Sequence, residues 1–126
     1  MKVFVVDHSA PARKRIIEIL SELEGIEIVG EAEDAIAAAV LIRESQPDVV
    51  ILDVQMPVFT GIDLLNSLQN NEHVPVTIAL TNYPYPQYRK RCQEAGAKFI
   101  FDKSTEFVKI TEAFRQLGKG IKVKPH

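Results

Sequence analysis

Residues 49–57 read VVILDVQMP, and this segment decides the fold of the chain. Four apolar residues run directly into Asp53, and Pro57 closes the turn that follows. An unbroken apolar run bounded by turn signals is typical of a strand buried on both faces, as in a parallel sheet. Asp53 would then lie at the carboxyl end of a strand, where open α/β sheets bind ligands. The alternative is that Asp53 only stabilises the turn, as many aspartates do.

Three further apolar runs end in a polar side chain in the same way. The carboxyl ends of the strands in a doubly wound sheet share one edge, so these side chains can converge although they are far apart in the sequence. We therefore favour the functional interpretation of Asp53. The polar residues and the runs that precede them are Asp7 after 3–6, Thr81 after 75–80 and Lys103 after 99–101.

Apolar residues at helical spacing separate the strand-like runs and predict five helices. The first helix is predicted to extend through Leu23 and to end at Gly25. Residues 26–30 alternate in polarity and indicate a second strand, at an edge of the sheet. Ser104 or Thr105 is the predicted cap of the fifth helix. Five strands alternating with five helices predict right-handed βαβ units and a parallel sheet covered on both faces.

The chain of 126 residues suits one domain. We assign residues 1–118 to this domain and residues 119–126 to a basic C-terminal tail, which we expect to be frayed. The single cysteine, Cys92, excludes an internal disulfide and is expected to be a buried small hydrophobe. No apolar run approaches the roughly 20 residues that span a bilayer. With no signal-peptide layout either, we expect a cytoplasmic protein without membrane contact.

The formal net charge of −2 conceals an asymmetry between the two halves of the chain. Acidic residues predominate in residues 1–63 and basic residues in residues 64–126. The bases of the second half are scattered and match no known nucleic-acid-binding motif. Solvated helix faces or a partner surface explain them better, and we expect no direct DNA binding by this chain.

The four strand-end residues make chemical sense as one site. Asp7 and Asp53 would repel each other, and a hard divalent cation such as Mg²⁺ would neutralise both carboxylates. A carboxylate in that setting can attack phosphorus and form an aspartyl phosphate. Lys103 would supply a point charge to phosphate oxygens, and Thr81 a hydroxyl donor. The sequence contains no glycine-rich phosphate loop, no Ser/His/Asp set and no Cys/His metal cluster.

Apart from this chemistry, short motifs in a fixed order give the chain a resemblance to a known protein family. They are Val5-Val6-Asp7, Gly30-Glu31-Ala32, residues 48–53, Met56-Pro57, Gly61, Leu80-Thr81, residues 94–97 and Lys103. With these motifs the chain resembles a receiver domain of the two-component response regulators over almost its whole length. As a set the motifs are highly specific, although no single one is.

The resemblance implies a flavodoxin-like, doubly wound (βα)5 fold with strand order 2-1-3-4-5. It also implies phosphoryl transfer to Asp53 from a phosphohistidine on a sensor histidine kinase or a histidine phosphotransfer protein. In that family the lysine contacts the phosphate and the threonine turns inward to follow it, which implies these roles for Lys103 and Thr81. Asp7, Asp53 and the backbone carbonyl of Gln55 would hold Mg²⁺. Such a domain catalyses at most its own phosphorylation and dephosphorylation.

His8 is the main departure from the family pattern. It follows Asp7 where the family has a second acid that binds the metal directly. Because imidazole suits Zn, Cu, Ni or Fe better than Mg, we predict weaker Mg²⁺ affinity, with Mn²⁺ as a substitute. The alternative is that His8 points to solvent and the site manages with Asp7, Asp53 and water.

The smaller departures surround the same site. Asn82 follows Thr81 where the family prefers a small residue, and Ser104 replaces the proline that normally follows the lysine. Ile100 stands at the position of the family's switch aromatic, so the usual aromatic–threonine coupling is expected to be absent or altered. Gln55 and Tyr83 either modulate hydrolysis of the aspartyl phosphate or are ordinary surface residues.

Three functional interpretations remain open at this point. The first is a phospho-accepting receiver, either stand-alone or excised from a longer protein, that signals or dimerises through its fourth helix, fifth strand and fifth helix. The second is a pseudo-receiver that acts only as a protein-interaction module, which His8, Asn82 and Ile100 favour. The third, a flavodoxin-like cofactor binder, is opposed by the absence of a phosphate-cradling loop after the first strand.

Overall fold

A computed structural model of the chain describes residues 1–55, 61–82, 86–118, 120 and 122–124. Strands and helices alternate through most of this length, as the sequence predicts. The elements are β1 Lys2–Val6, α1 Ala10–Ser21, β2 Leu23–Glu24, β3 Glu27–Ala32, α2 Ala35–Ser45, β4 Val49–Asp53, α3 Gly61–Leu68, β5 Val76–Thr81, α4 Pro86–Glu94, β6 Phe99–Asp102, α5 Lys109–Leu117 and β7 Lys122–Val123.

Five of the strands form one parallel sheet in the order β3-β1-β4-β5-β6. Counted along this sheet alone, they are its second, first, third, fourth and fifth strands, so the predicted flavodoxin-like order is confirmed. β4 lies at the centre, and all five of its residues are buried. It pairs with β1 on one side and β5 on the other, with Asp53 opposite Leu80 at its end.

Strand alternation divides the core into two clusters, one on each face of the sheet. Val50 and Leu52 of β4 pack with buried residues of α2, α3 and α4. Val49 and Ile51 pack on the other face with buried residues of α1 and α5. Cys92 is fully buried in the first cluster, as predicted, and its burial raises the pKa of the thiol.

The predicted end of the first helix is wrong. α1 ends at Ser21, and Leu23 belongs to the short strand β2, which pairs antiparallel with β7. Gly25, with φ 87°, then forms a turn into β3 rather than a helix end. Leu23 is buried like a helical core residue, so its position in the sequence pattern did not distinguish helix from strand. The same pairing orders residues 122–123 of the tail, which we expected to be frayed.

The predicted start of the fifth helix is also wrong. The carboxylate of Asp102 accepts hydrogen bonds from the backbone N–H groups of Ser104 and Thr105, at 2.7 and 3.2 Å, and forms a turn instead. α5 begins only at Lys109. Phe107 is buried ahead of the helix, and the guanidinium of Arg15 lies 4.4 Å from the centre of its ring.

Several predictions lie outside the described residues. They concern the turn at Met56 and Pro57, the loop of residues 83–85 with the modulating role of Tyr83, and tail residues 119, 121, 125 and 126. Across the described part of the chain, no helix has the length and apolar character needed to cross a bilayer.

Gly61 fixes how closely α3 approaches the end of β4. A Cβ at this position would lie 2.3 Å from Val54 Cα and 2.7 Å from the carbonyl oxygen of Asp53, contacts that only a backbone shift could relieve. We expect Gly61→Ala to lower the free energy of unfolding by about 1–3 kcal/mol, as overpacked sites do. Urea unfolding measures this change.

Gly120→Ala is the matched control, because a Cβ there meets no atom within 4 Å. This substitution should change the free energy of unfolding by no more than about 0.5 kcal/mol, the usual range for surface substitutions. Equal losses of stability for the two variants would contradict a packing role for Gly61.

Candidate functional site

Four adjacent strands deliver the predicted polar residues to one edge of the sheet. Asp7 directly follows β1, Asp53 ends β4, Thr81 ends β5, and Lys103 directly follows β6. The two aspartates and the threonine are at most 2% exposed. The structure therefore brings together two buried carboxylates and a lysine, with a buried hydroxyl on the strand between Asp53 and Lys103.

The ammonium of Lys103 lies between the two carboxylates. Its Nζ is 2.6 Å from Asp7 Oδ2 and 3.2 Å from Asp53 Oδ2, and it donates a hydrogen bond to the latter. The lysine side chain is only 12% exposed. Burying two carboxylates side by side is costly unless they are paired, and Lys103 provides that compensation.

Asp7 accepts two hydrogen bonds, but one of its carboxylate oxygens accepts none. Its Oδ1 accepts a hydrogen bond from the backbone N–H of Ser9 at 2.9 Å, and its carbonyl oxygen accepts one from Arg13 at 2.6 Å. Oδ2 is buried and accepts no hydrogen bond, because the Lys103 ammonium, although close, does not lie in a hydrogen-bonding direction. Among the described residues, no other buried side-chain oxygen or nitrogen lacks a hydrogen-bond partner.

His8 turns one ring nitrogen toward the carboxylates. Its Nδ1 lies 3.2 Å from Asp53 Oδ2 and 3.8 Å from Asp7 Oδ1, while half of the side chain, 52%, is exposed. His8 is thus neither buried nor directed only to solvent. Asp53 Oδ2 consequently faces both Lys103 and His8.

The three side chains have the spacing of a metal site. One ligand atom from each of Asp7, His8 and Asp53 lies within 4.8 Å of the others. The carboxylates of Asp7 and Asp53, the first with an oxygen that accepts no hydrogen bond, fit a divalent cation. The imidazole nitrogen is a ligand that Mg²⁺ accepts less readily than the transition metals do.

Gln55 connects the site to its neighbouring loops. Its backbone N–H donates to Asp53 Oδ1 at 2.9 Å, which orients the carboxylate. Its side-chain Oε1 accepts a hydrogen bond from the N–H of Asn82 at 2.8 Å, and Asn82 Oδ1 accepts one from the Ser104 hydroxyl at 3.4 Å. Asn82 and Ser104 were predicted only as separate departures from the family pattern and Gln55 as a metal ligand and modulator, because nothing in their spacing indicates that they meet.

The turn that carries Lys103 is fixed by Glu106, which the sequence analysis missed. Glu106 Oε1 accepts hydrogen bonds from the backbone N–H of Asp102 at 2.9 Å and from Arg89 at 3.1 Å. Lys109 donates to its other oxygen. The hydrogen bonds from Lys109 and the Asp102 backbone lower the pKa of Glu106 to about 2. A carboxylate with three donors therefore joins α4, the end of β6 and the start of α5.

Ile100 stands at the position of the family's switch aromatic, and the contacts around it do not involve an aromatic ring at that position. Ile100 packs on the α4 side of the sheet, whereas Phe99 and Phe101 face the opposite side, with ring centres 6.0 Å apart. Arg89 reaches over β6 and donates a hydrogen bond to the Ile100 carbonyl oxygen at 3.0 Å. The cross-element contact in this region is thus an arginine rather than an aromatic ring.

Comparison with known proteins identifies related sequences along the whole chain. The response regulator receiver domain family matches residues 3–115. An uncharacterized response regulatory protein of Yersinia pestis is 36% identical over 124 residues, which are 98% of this chain and 51% of that protein. A protein-glutamate methylesterase/protein-glutamine glutaminase of Syntrophomonas wolfei is 35% identical over 125 residues, 97% of this chain and 36% of that protein. The chain thus spans about half, or less, of the length of these curated relatives.

The three-dimensional similarity is equally extensive. The isolated receiver domain of RcsB from Salmonella enterica serovar Typhimurium, solved in the presence of the phosphomimetic BeF3⁻, superposes with a TM-score of 0.86 at 25% identity. The superposition covers 100% of this chain and 94% of that domain.

The charge of Glu106 should matter for stability in a pH-dependent way. Because its pKa is lowered from 4.5 to about 2 on folding, the carboxylate stabilises the fold above the unfolded-state pKa. That contribution is lost as the pH falls through the folded-state pKa. Glu106→Gln should therefore lower the free energy of unfolding at pH 7 and 5, and by less at pH 3, when measured by urea unfolding.

The control for this prediction is Glu112→Gln. Glu112 is 61% exposed and lies 3.6 Å from Arg115 in a surface ion pair. Its replacement should change stability by less than about 0.5 kcal/mol at every pH. A Glu106→Gln loss that is as large at pH 3 as at pH 7 would contradict the charge-based explanation.

Proposed function

This chain belongs to the response regulator receiver domain family, and from that premise we propose that Asp53 accepts a phosphoryl group from a phosphohistidine. The donor is a sensor histidine kinase or a histidine phosphotransfer protein in the cytoplasm. The observation that carries the proposal is the Lys103 ammonium 3.2 Å from Asp53 Oδ2, beside a second buried carboxylate. A buried acid with a cation at one oxygen is suited to bind and attack a charged phosphoryl group.

The geometry favours one oxygen of Asp53 as the nucleophile. Oδ1 is engaged by the N–H of Gln55, so Oδ2 is the oxygen directed toward the cationic side of the site. When Oδ2 bonds to phosphorus, the phosphorus–nitrogen bond of the donor breaks, and the imidazole leaves and takes up a proton. Negative charge on the transferring oxygens is stabilised by Lys103 and by the Thr81 hydroxyl.

A divalent cation fits the same proposal. Asp7, Asp53 and the backbone carbonyl of Gln55 would hold it, with His8 in the place of the family's second acid. When bound, the cation supplies positive charge that offsets the two carboxylates and the incoming phosphoryl group. Asp7 Oδ2, which accepts no hydrogen bond and has the Lys103 ammonium 2.6 Å away, supports this assignment, because the oxygen already lies in a site built for positive charge. Because His8 offers nitrogen, Mg²⁺ binds weakly and Mn²⁺ substitutes for it.

Signalling would proceed through a changed partner-binding surface on α4, β6 and α5, where the chain also dimerises. Arg89 of α4 donates to the Ile100 carbonyl of β6 and to Glu106, and Glu106 also binds Lys109 at the start of α5, so these contacts connect the three elements. The turn at Asp102, which Glu106 holds, leads directly into Lys103. The chain is a signalling domain that catalyses at most its own phosphorylation and dephosphorylation. The methylesterase relative is matched over only 36% of its length, so its activity is not extended to this chain.

A pseudo-receiver that acts without phosphorylation is the second candidate. His8 Nδ1 and Lys103 Nζ both lie 3.2 Å from Asp53 Oδ2, so two groups already occupy the acceptor oxygen. If a phosphodonor displaces neither the His8 ring nor the Lys103 ammonium from this oxygen, the domain would serve only as an interaction module. The retention of Thr81 and Lys103 beside Asp53 favours the acceptor over this alternative.

Metal-dependent phosphorylation separates the two candidates. We expect intact mass spectrometry to detect one added phosphoryl group after incubation with phosphoramidate and Mg²⁺ or Mn²⁺, and none with a chelator. Asp53→Asn should abolish the adduct. Asp63→Asn, at an exposed aspartate of α3, should keep it. No adduct with either metal would favour the pseudo-receiver.

Replacing His8 by aspartate tests the proposed metal site. A further unit negative charge at about 4 Å attracts a divalent cation by on the order of 8 kcal/mol at a surface-like dielectric, twice the value for two unit charges, before desolvation costs. We therefore expect His8→Asp to tighten Mg²⁺ binding by at least about tenfold in isothermal titration calorimetry. Mn²⁺ binding should change less, because Mn²⁺ accepts nitrogen more readily. Unchanged Mg²⁺ affinity would mean that His8 does not occupy a metal-ligand position.

A further inference from the structure

The outward face of α2 is unusually apolar. Five large apolar side chains are exposed among the described residues, and three of them lie on this helix: Ile36 at 63%, Val40 at 50% and Leu41 at 40%. The other two, Val74 and Val108, lie in separate segments before β5 and α5.

The hydrophobic core of this chain does not include the outward face of α2. α2 packs on the sheet through Ala35, Ala38 and Ile42, which are buried. The opposite side of a surface helix is normally polar, and a helix that is apolar all round is normally covered. Ile36 and Val40 are one turn apart on the solvent side, so they form a continuous apolar stripe.

A groove adjoins this stripe along the edge strand β3. It has a volume of about 290 Å³ and is lined by residues that include Val29, Leu41 and Glu44, with Phe4 and Gly30 beneath. A Cβ at Gly30 would lie 2.6 Å from the Phe4 ring, so glycine lets the strand pack directly on that ring. The groove has room for a large aliphatic side chain supplied from outside.

The charge around the stripe indicates what covers it. Between residues 24 and 48 the sequence has a single base, Arg43. The acids of the same segment are Glu24, Glu27, Glu31, Glu33, Asp34, Glu44 and Asp48, of which Glu31 is paired with Arg13 of α1. Glu33 and Asp34 flank the start of α2, and Glu44 lines the groove. A second copy using this face would oppose acids with acids, and an anionic membrane would be repelled.

We propose that the α2 face, defined as Ile36, Val40, Leu41 and the groove at Val29, docks an amphipathic helix of a partner protein whose apolar side chains are flanked by lysine or arginine. Apolar anchors enter the stripe and groove, and the flanking bases meet Glu33, Asp34 and Glu44. The surface does not use Asp53, so this binding goes beyond the phosphoryl-accepting function and is independent of it. It is also distinct from the α4, β6 and α5 surface, whose residues include Arg89, Lys90 and Arg91.

Two synthetic helical peptides serve as probes in the first experiment. Both carry leucines at positions i, i+3, i+4 and i+7, and the remaining positions are lysine-rich in one and glutamate-rich in the other. Fluorescence anisotropy with the full chain should show the lysine peptide binding at least about tenfold more tightly. Added salt should weaken it. Equal binding of the two peptides would overturn the assigned partner chemistry.

Surface variants test the location. The double variant Ile36→Ser/Val40→Ser should bind the lysine peptide at least about tenfold more weakly, because two apolar contacts are removed. Val108→Ser is the matched control, since Val108 is 74% exposed on another face, and it should bind as wild type does. All three substituted side chains are solvent-exposed, and circular dichroism melts check that each variant is folded.

A chemical-shift map and an Asp53→Asn variant complete the test. In ¹H–¹⁵N spectra the lysine peptide should shift amides of residues 29–45, and shifts centred on residues 86–110 would overturn the proposal. Asp53→Asn should bind the peptide as wild type does, so a failure of the phosphorylation proposal leaves this one standing. A wild-type chain that sediments as a dimer and becomes monomeric in the double variant would show a second copy on the α2 face, and would also overturn it.

Discussion

A lysine ammonium between two buried carboxylates is the interaction on which the rest of this structure depends. Asp7 and Asp53 are almost fully buried at the ends of neighbouring strands, and Lys103 lies within 3.2 Å of both. Without a cation they would repel each other in a region of low dielectric constant, so the sheet edge could not close around them. The strand order that puts β6 two strands from β4 lets a long lysine side chain reach back across Thr81. The same arrangement that stabilises the sheet edge places the carboxylate of Asp53, the proposed phosphoryl acceptor, beside the Lys103 ammonium.

The surrounding hydrogen bonds connect this cluster to the surface of the domain. Gln55 orients one oxygen of Asp53 and also holds the backbone at Asn82. Glu106 fixes the turn before Lys103 and binds Arg89, which itself holds the carbonyl of Ile100. Where the family has an aromatic switch, this chain therefore has a hydrogen-bonded path from the site to α4.

The parts that the sequence predicted correctly follow from local pattern and sheet geometry. The apolar run before Asp53 indicated a central buried strand, and the parallel topology then required Asp7, Thr81 and Lys103 to share its edge. Leu23 and the start of α5 were misassigned, because an apolar residue at helical spacing can also be buried from a strand, and because Asp102 forms a turn where a cap was expected. The contacts of Gln55 with Asn82 and of Glu106 with Arg89 were missed for another reason: they join residues distant in sequence through side-chain conformations that no spacing rule encodes.

The central claim is that Asp53 itself carries the phosphoryl group, and chemical trapping tests this most directly. An acyl phosphate is reduced by borohydride to an alcohol, so a phosphorylated aspartate is converted into homoserine, which tandem mass spectrometry locates by residue. After treatment with phosphoramidate and Mn²⁺, the account predicts homoserine at position 53 and at no other aspartate. Homoserine at Asp7, a phosphoryl group retained on His8, or no modification at all would contradict it.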